Sequence, residues 1–263
     1  MSKKNELAPE STASAALLSQ LEDVQTDGFE NVTQEDLGLA IINLLQGTSP
    51  QCDKTKDGYI EGCEAGEFFV TTLQESFKEL TVVPVGFMST VIEWVPRESG
   101  GGFVGRYPKG HPKAMDFTKV GYKKITPEGN ELVDTAEHFV MVLPEGGGEP
   151  YLAVMPFKST ATRYSKNWIN KMSAQSLVVG GVAKRLPMFM QMYKLTAGVD
   201  RNTKGSWYSP KNMEYLGHVP DELLAKASEA AKAFNDTSIE ADAAFSKSAP
   251  VGGTKVEIID GME

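Results

Sequence analysis

The stretch YLAVMPFKSTATRYSKNWINKM, residues 151–172, changes its structural period halfway. Tyr151 to Phe157 is a short apolar run of strand length, bounded by polar residues. Beyond it, Tyr164, Trp168 and Met172 recur at i, i+4 and i+8, one stripe of a helix, while Arg163, Lys166, Asn167, Asn170 and Lys171 take other faces. The spacing therefore predicts a strand to Phe157, a cap at Ser159 or Thr160, and a basic amphipathic helix to about Gln175.

Outward from that helix the alternation is mostly of period two. EFFVTTL, ELTVVPVGFMSTVIEWVPR, GFVGRYP, HFVMVLP, MFMQMYKLTAGVD and SWYSPKNMEYLG all read as strand-bearing. Pro84 interrupts the second of these and predicts an edge position or a bulge, because proline has no N–H to give to a ladder. Gly100–Gly102 and Gly146–Gly148 each fall between two strands and read as hairpin loops. The fold class expected is mainly β (α+β), a small barrel with one inserted helix. Residues 1–30 are expected to be a disordered or weakly helical arm, residues 31–220 a single core domain, and residues 221–263 an Ala-rich helix followed by an acidic tail.

The formal net charge of -9 hides an uneven distribution. Residues 151–215 hold ten Lys and Arg against Asp200 and Glu214, whereas residues 1–50, 51–80, 81–150 and 216–263 are each net negative. A basic island thus lies between acidic arms. Cys52 and Cys63 are too few for a disulfide framework, the first residues lack the apolar segment of a signal peptide, and no apolar run reaches about 18 residues. A reduced intracellular compartment and no membrane partner are expected.

Catalytic signatures are sparse. His111, His138 and His218 are scattered, and Cys52 and Cys63 have neither a nearby histidine nor a second pair that would suggest zinc. GGFVGRYPKG lacks the residue order of a phosphate-binding loop. Asp53, Asp57, Glu61 and Glu64 read as an acidic loop, without the spacing and glycine of a calcium loop. The expectation is a protein without catalytic residues, cofactor or metal.

The island does supply the chemistry of single-strand nucleic-acid binding, which needs cations for phosphates and ring faces for bases. The candidate phosphate contacts are Lys158, Arg163, Lys166, Lys171, Lys184, Arg185, Lys194, Arg201, Lys204 and Lys211. The candidate stacking rings are Tyr164, Trp168, Tyr193, Trp207 and Tyr208, of which Trp207 and Tyr208 follow a glycine in what reads as a hairpin. Lys184 and Arg185, after Gly180 and Gly181, are expected at a turn, and Arg97 and Arg106, flanking the first glycine run, with Lys109, Lys113, Lys119, Lys123 and Lys124, would extend the path. The chain ends in VEIIDGME, a form that suits partner recognition through Ile258, Ile259, Asp260 and Glu263, and an acidic arm of this kind can compete with phosphates for a basic groove.

DLGLAIINLLQGTSPQC, then GEFFVTT, then VVPVGFMSTVIEWVPRESGGGF and the basic segment together resemble a group of bacteriophage proteins associated with DNA replication, some of them single-stranded-DNA-binding. The resemblance covers about residues 31–220. It implies an OB-like β-barrel core, protection of single-stranded DNA during replication or recombination, and work in the cytoplasm of a bacterial host, with replication or recombination proteins recruited by the tail. The final residue is Glu263, where tails of single-strand binders often carry an aromatic. DNA rather than RNA follows from the resemblance alone. The competing expectations are a virion component of the capsid or tail, which would form homo-oligomers, and a metal-dependent DNA-processing enzyme.

Overall fold

The structure, a computed structural model, describes residues 38–203 and 205–236. In chain order these form β1 (Ala40–Leu44), β2 (Phe68–Val70), β3 (Glu75–Phe77), β4 (Glu79–Val95), β5 (Gly102–Pro108), the single turn α1 (Pro112–Met115), β6 (Thr118–Val120) and β7 (Lys123–Ile125). There follow β8 (Glu131–Leu143), β9 (Tyr151–Lys158), α2 (Thr162–Ala174), β10 (Ser176–Val179), β11 (Val182–Arg185), β12 (Gln191–Asn202), β13 (Gly205–His218) and α3 (Asp221–Asp236). The helix read from residues 151–172 is α2, and the two glycine runs link β4 to β5 and β8 to β9 as expected.

One sheet runs in the order β13-β12-β4-β8-β9-β1-β2-β3, with β5 added to β4, and β7 then β6 added beside β8. Its pairs are antiparallel except β1 with β9, which is parallel. The far edge of β4 is shared: β12 pairs with Glu79–Val82 and β5 with Thr90–Val95. Pro84 lies in the gap between them, and the register with β8 shifts between Pro84 and Gly86. Both alternatives read from the proline, edge and bulge, are realised at that point. At Gly86 a Cβ would lie 2.3 Å from the Phe234 ring, so bare backbone is what lets α3 seat there.

Period-two alternation sends neighbours to opposite faces, and each face is covered. Val82, Val140, Val142, Met155, Phe157 and Leu195 pack with Trp168 and Met172 of α2. Val83, Val85, Phe139, Met141 and Val154 pack with Ala227 and Ala231 of α3. Each such aliphatic or aromatic side chain, fully buried, contributes roughly 1.5–3 kcal/mol. α3 closes this face through Ala227, Ala231 and Phe234.

The sheet curls until its ends approach. Gln46, just past β1, holds the main chain of Tyr208 on β13 with both ends of its amide: Nε2 donates to the Tyr208 carbonyl at 3.0 Å, and Oε1 accepts from the Tyr208 N–H at 2.9 Å. No ladder joins β13 to β1 or β2 among the described residues. The architecture is a β-dominant, curled and open half-barrel with a few helices, so the expected barrel is present in its curvature while closure of the OB type is not what these strands make.

Two polar groups sit inside this apolar frame. His138 on β8 is fully buried, its Nε2 lies 2.7 Å from Ser165 Oγ of α2, and its ring stacks on Trp168 with centroids 4.6 Å apart. Burial, which disfavours the charged imidazolium, pushes its pKa down to about 3. On the opposite face Arg106 of β5 binds Glu137 of β8 through Nη2 at 2.6 Å and Nε at 2.9 Å, and Thr90 Oγ1 donates to the same carboxylate oxygen at 2.8 Å.

Candidate nucleic-acid interface

The antiparallel pair β12–β13 overshoots the sheet, since β4 accompanies β12 only through Tyr193–Thr196. Past that point Gly198–Asn202 and Gly205–Ser209 pair, among the described residues, only with each other, and Trp207 stands opposite Asp200 and Tyr208 opposite Val199. The Tyr208 ring lies on the bare backbone of Gly66, where a Cβ would meet it at 2.6 Å and where φ is +96°. Gly66 therefore serves both the turn and the close approach. With Gln46 holding the Tyr208 backbone, an open groove of about 540 Å³ forms, lined by Gln46, Gly47, Thr48, Val199, Arg201, Ser206, Trp207 and Tyr208. That volume falls within the roughly 300–1,000 Å³ of ordinary ligand clefts. The Trp207 Nε1 is shielded and has no acceptor among the described residues.

Beside the groove, Asp200 gathers cations from two elements. Its carboxylate pairs with Arg163 of α2 at 2.7 Å and Lys211 of β13 at 3.0 Å, and accepts the Tyr164 hydroxyl at 2.8 Å. Burial alone would raise its pKa, but hydrogen bonds from Lys211, Ser209, Tyr164 and Arg163 outweigh it and hold the carboxyl well below the usual range. Arg163 also lies over the Tyr164 ring at 4.7 Å. Two cations, Arg163 and Lys211, thus share the one carboxylate of Asp200.

The sequence candidates separate on this geometry. Arg201, Trp207 and Tyr208 line the groove, whereas Arg163, Tyr164 and Lys211 meet at Asp200, the three rings half-buried. Lys166 and Lys171 are exposed on α2, with Lys171 donating to the Met213 carbonyl at 3.1 Å. Lys194 is engaged by Glu79 at 2.6 Å. Lys158 leaves the path: it lies 4.8 Å over the Trp94 ring beside Glu137, and burial lowers its pKa against the opposing pull of Glu137. Trp168 and Tyr193 are each 0% exposed, so neither presents a face to a base, and both are corrected to core residues. Their apolar stripe was legible, but that signal is shared by packing and stacking. Lys184 and Arg185 stand on β11 rather than in the turn, which is Gly180–Gly181. Lys204, Ile258, Ile259, Asp260 and Glu263 lie outside the described residues, as does the arm 1–30.

Two participants, and one exposed ring elsewhere, escaped sequence reasoning. Gln46 and Gly66 act through backbone approach, which leaves no pattern in a single sequence. Tyr122 is the most exposed of the large apolar side chains among the described residues, 88% accessible in the two-residue turn Gly121–Tyr122 between β6 and β7, amid Lys119, Lys123 and Lys124. Lys123 and Lys124 are tied to Glu131 and Asp134 at 2.9 and 2.6 Å. A Gly-Tyr turn among lysines was a visible signal, masked by the net negative charge of the block around it.

Cys52 and Cys63 are free thiols, and Asp53 accepts from the backbone and hydroxyl of Thr55 at 3.0 and 2.7 Å. Among the described residues no group of three or more His, Cys, Asp or Glu is placed to hold a metal ion, and no helix is long and apolar enough to cross a membrane. No curated protein and no solved structure matches the chain. One family profile, described as Pam3 phage gp34-like protein, matches residues 7–240, and since this is most of the chain, the protein belongs to that phage family.

Proposed function

We propose that this is a single-stranded-DNA-binding protein of phage DNA metabolism, acting by capture rather than catalysis. The observation that carries the reading is the open groove whose lining includes Arg201, Trp207 and Tyr208. A cation for phosphate beside half-exposed rings is the minimum that a sequence-tolerant single-strand site requires. Arg163 and Lys211 reinforce it from the neighbouring network, and Asp200 keeps both cations positioned while moderating their charge. Specific work in replication or recombination, and recruitment of partners by the acidic tail, belong to the same proposal.

The test is fluorescence anisotropy of a labelled mixed-sequence oligodeoxynucleotide at two salt concentrations, with duplex and RNA competitors. Trp207→Ala is expected to cost about 1–3 kcal/mol, the range for one stacked base. Arg201→Ala is expected to flatten the logarithmic salt slope by about 0.7, the value for one phosphate contact on a single strand. Absence of binding at low salt, or binding indifferent to both substitutions, overturns the reading. A role in virion assembly is the second reading, favoured by the exposed apolar hairpin β10–β11, and a salt-resistant oligomer without affinity for nucleic acid would select it.

A further inference from the structure

The β6–β7 hairpin stands toward the end of β4 opposite the groove. β12 meets β4 at Glu79–Val82 before running on to the groove, whereas Lys124 of β7 pairs with Leu132 of β8, which pairs in turn with Glu93 of β4. From Glu79 to Glu93 an extended strand covers up to roughly 45 Å, at about 3.3 Å per residue, so the two places are separate. Residues 109–124 read KGHPKAMDFTKVGYKK, five lysines against Asp116 alone. Of these, Lys109, Lys113 and Lys119 are exposed and make no ion pair among the described residues.

Two features of the hairpin point to an anionic partner that carries rings. The first is its register, which sets Lys119 directly opposite Lys124, an arrangement that repels. Lys124 is bonded to Asp134 at 2.6 Å, which leaves Lys119 as the cation of the pair open to an anion from solvent. The second is the tip. Gly121, at φ +63°, makes the turn, Lys123 is tied to Glu131 at 2.9 Å, and Lys124 lies over the Phe117 ring at 5.1 Å. This footing holds Tyr122 out in solvent, and a ring already presented loses less freedom on binding. No row of the ribbon is apolar on both strands, since Thr118 faces Ile125, Lys119 faces Lys124 and Val120 faces Lys123. The hairpin thus offers cations and one ring face rather than a surface for apolar burial.

We propose that the β6–β7 turn is a second contact for single-stranded nucleic acid, with Tyr122 stacking on a base and Lys119 meeting a neighbouring phosphate. Charge complementarity and a free ring face together select this partner, because a single strand displays phosphates and unstacked bases side by side. Lys109 and Lys113, exposed on the same connection, add to the attraction. The inference rests on the single-strand reading of the protein, at a place separate from the groove.

The full chain is titrated by fluorescence anisotropy with a labelled mixed-sequence oligodeoxynucleotide, and photo-crosslinked to the same strand carrying 5-iodouracil. Tyr122→Ala is expected to weaken binding by roughly five- to a hundredfold, the range for one stacked base. Tyr122→Phe should retain the affinity, because the ring face and not the hydroxyl does the stacking. Lys119→Gln should flatten the logarithmic salt slope by about 0.7. Crosslinks are expected on the peptide that contains Tyr122. Circular dichroism of each variant should match the wild type, because both side chains point to solvent. If Trp207→Ala weakens binding while Tyr122→Ala does not, or if crosslinks form only elsewhere, this inference falls and the groove stands. If Tyr122→Ala weakens binding and Trp207→Ala does not, the turn stands and the groove falls. Absence of binding by the wild type at low salt overturns both. Sedimentation of the wild type with phosphatidylglycerol vesicles, without affinity for the oligonucleotide, would assign the turn to an anionic membrane and overturn the inference.

Discussion

His138 gives acid sensitivity to the core. In the unfolded chain its imidazole titrates near the ordinary 6.5, while in the folded protein its pKa is about 3. Between those values the unfolded state binds the extra proton, so stability rises with pH and falls on acidification. Full stability from this group is present above the unfolded pKa and is lost progressively from there down to the folded value. Integrating the linkage relation from pH 7.5 to pH 5 gives a loss of about 2 kcal/mol. A chain of this size has a urea m-value toward the upper end of about 1–3 kcal/mol/M, so the midpoint should fall by about 0.7–1 M. The perturbation that isolates the effect is His138→Gln, which keeps a polar atom for Ser165 but does not titrate. The assay is urea unfolding of both proteins at pH 7.5, 6.5, 5.5 and 5. The variant should be less stable at pH 7.5 but should lose about 2 kcal/mol less than wild type on moving to pH 5. Parallel pH profiles for the two proteins would refute the reasoning.

Two further substitutions separate packing from binding. Trp168→Ala, which removes the ring between His138 and Tyr193, should cost about 3–5 kcal/mol of stability in chemical denaturation, with any change in oligonucleotide affinity following from unfolding alone. Arg106→Ala strands the Glu137 carboxylate in a buried place and should cost about 3–5 kcal/mol, whereas Arg106→Met combined with Glu137→Gln should recover most of it. Equal losses in the single and double variants would contradict the ion-pair account.

What a single sequence reveals here divides along a physical line. Local periodicity located α2 within a residue or two, and the strand segments carried β4, β5, β8, β9, β12 and β13 because alternation and glycine punctuation are local properties. The parallel pairing of β1 with β9 joins residues more than a hundred positions apart, and no local signal encodes it. The same limit explains the rings. Tyr164, Trp168 and Met172 form one helical stripe, but only the curl of the sheet decides that Trp168 meets His138 while Tyr164 turns to Asp200. The hairpin β10–β11 was hidden because LVVGGVA has the composition of a buried turn and is exposed only because the chain steps out of the sheet. Charge was legible as a regional sum, yet the partner that Lys194 finds in Glu79 is a fact of cross-strand geometry rather than composition.

The amide of Gln46 makes the half-barrel a split ring, fastened at its seam by two side-chain hydrogen bonds and the seat of Tyr208 on Gly66 instead of a strand ladder among the described residues. Two such hydrogen bonds are worth together about 1–3 kcal/mol net, far less than stripping a strand from its neighbours. The wall of the groove is thus also the line along which the ring parts most easily. Parting the seam at Tyr208 would break those two bonds and its contact with Gly66 while leaving every ladder of the sheet intact.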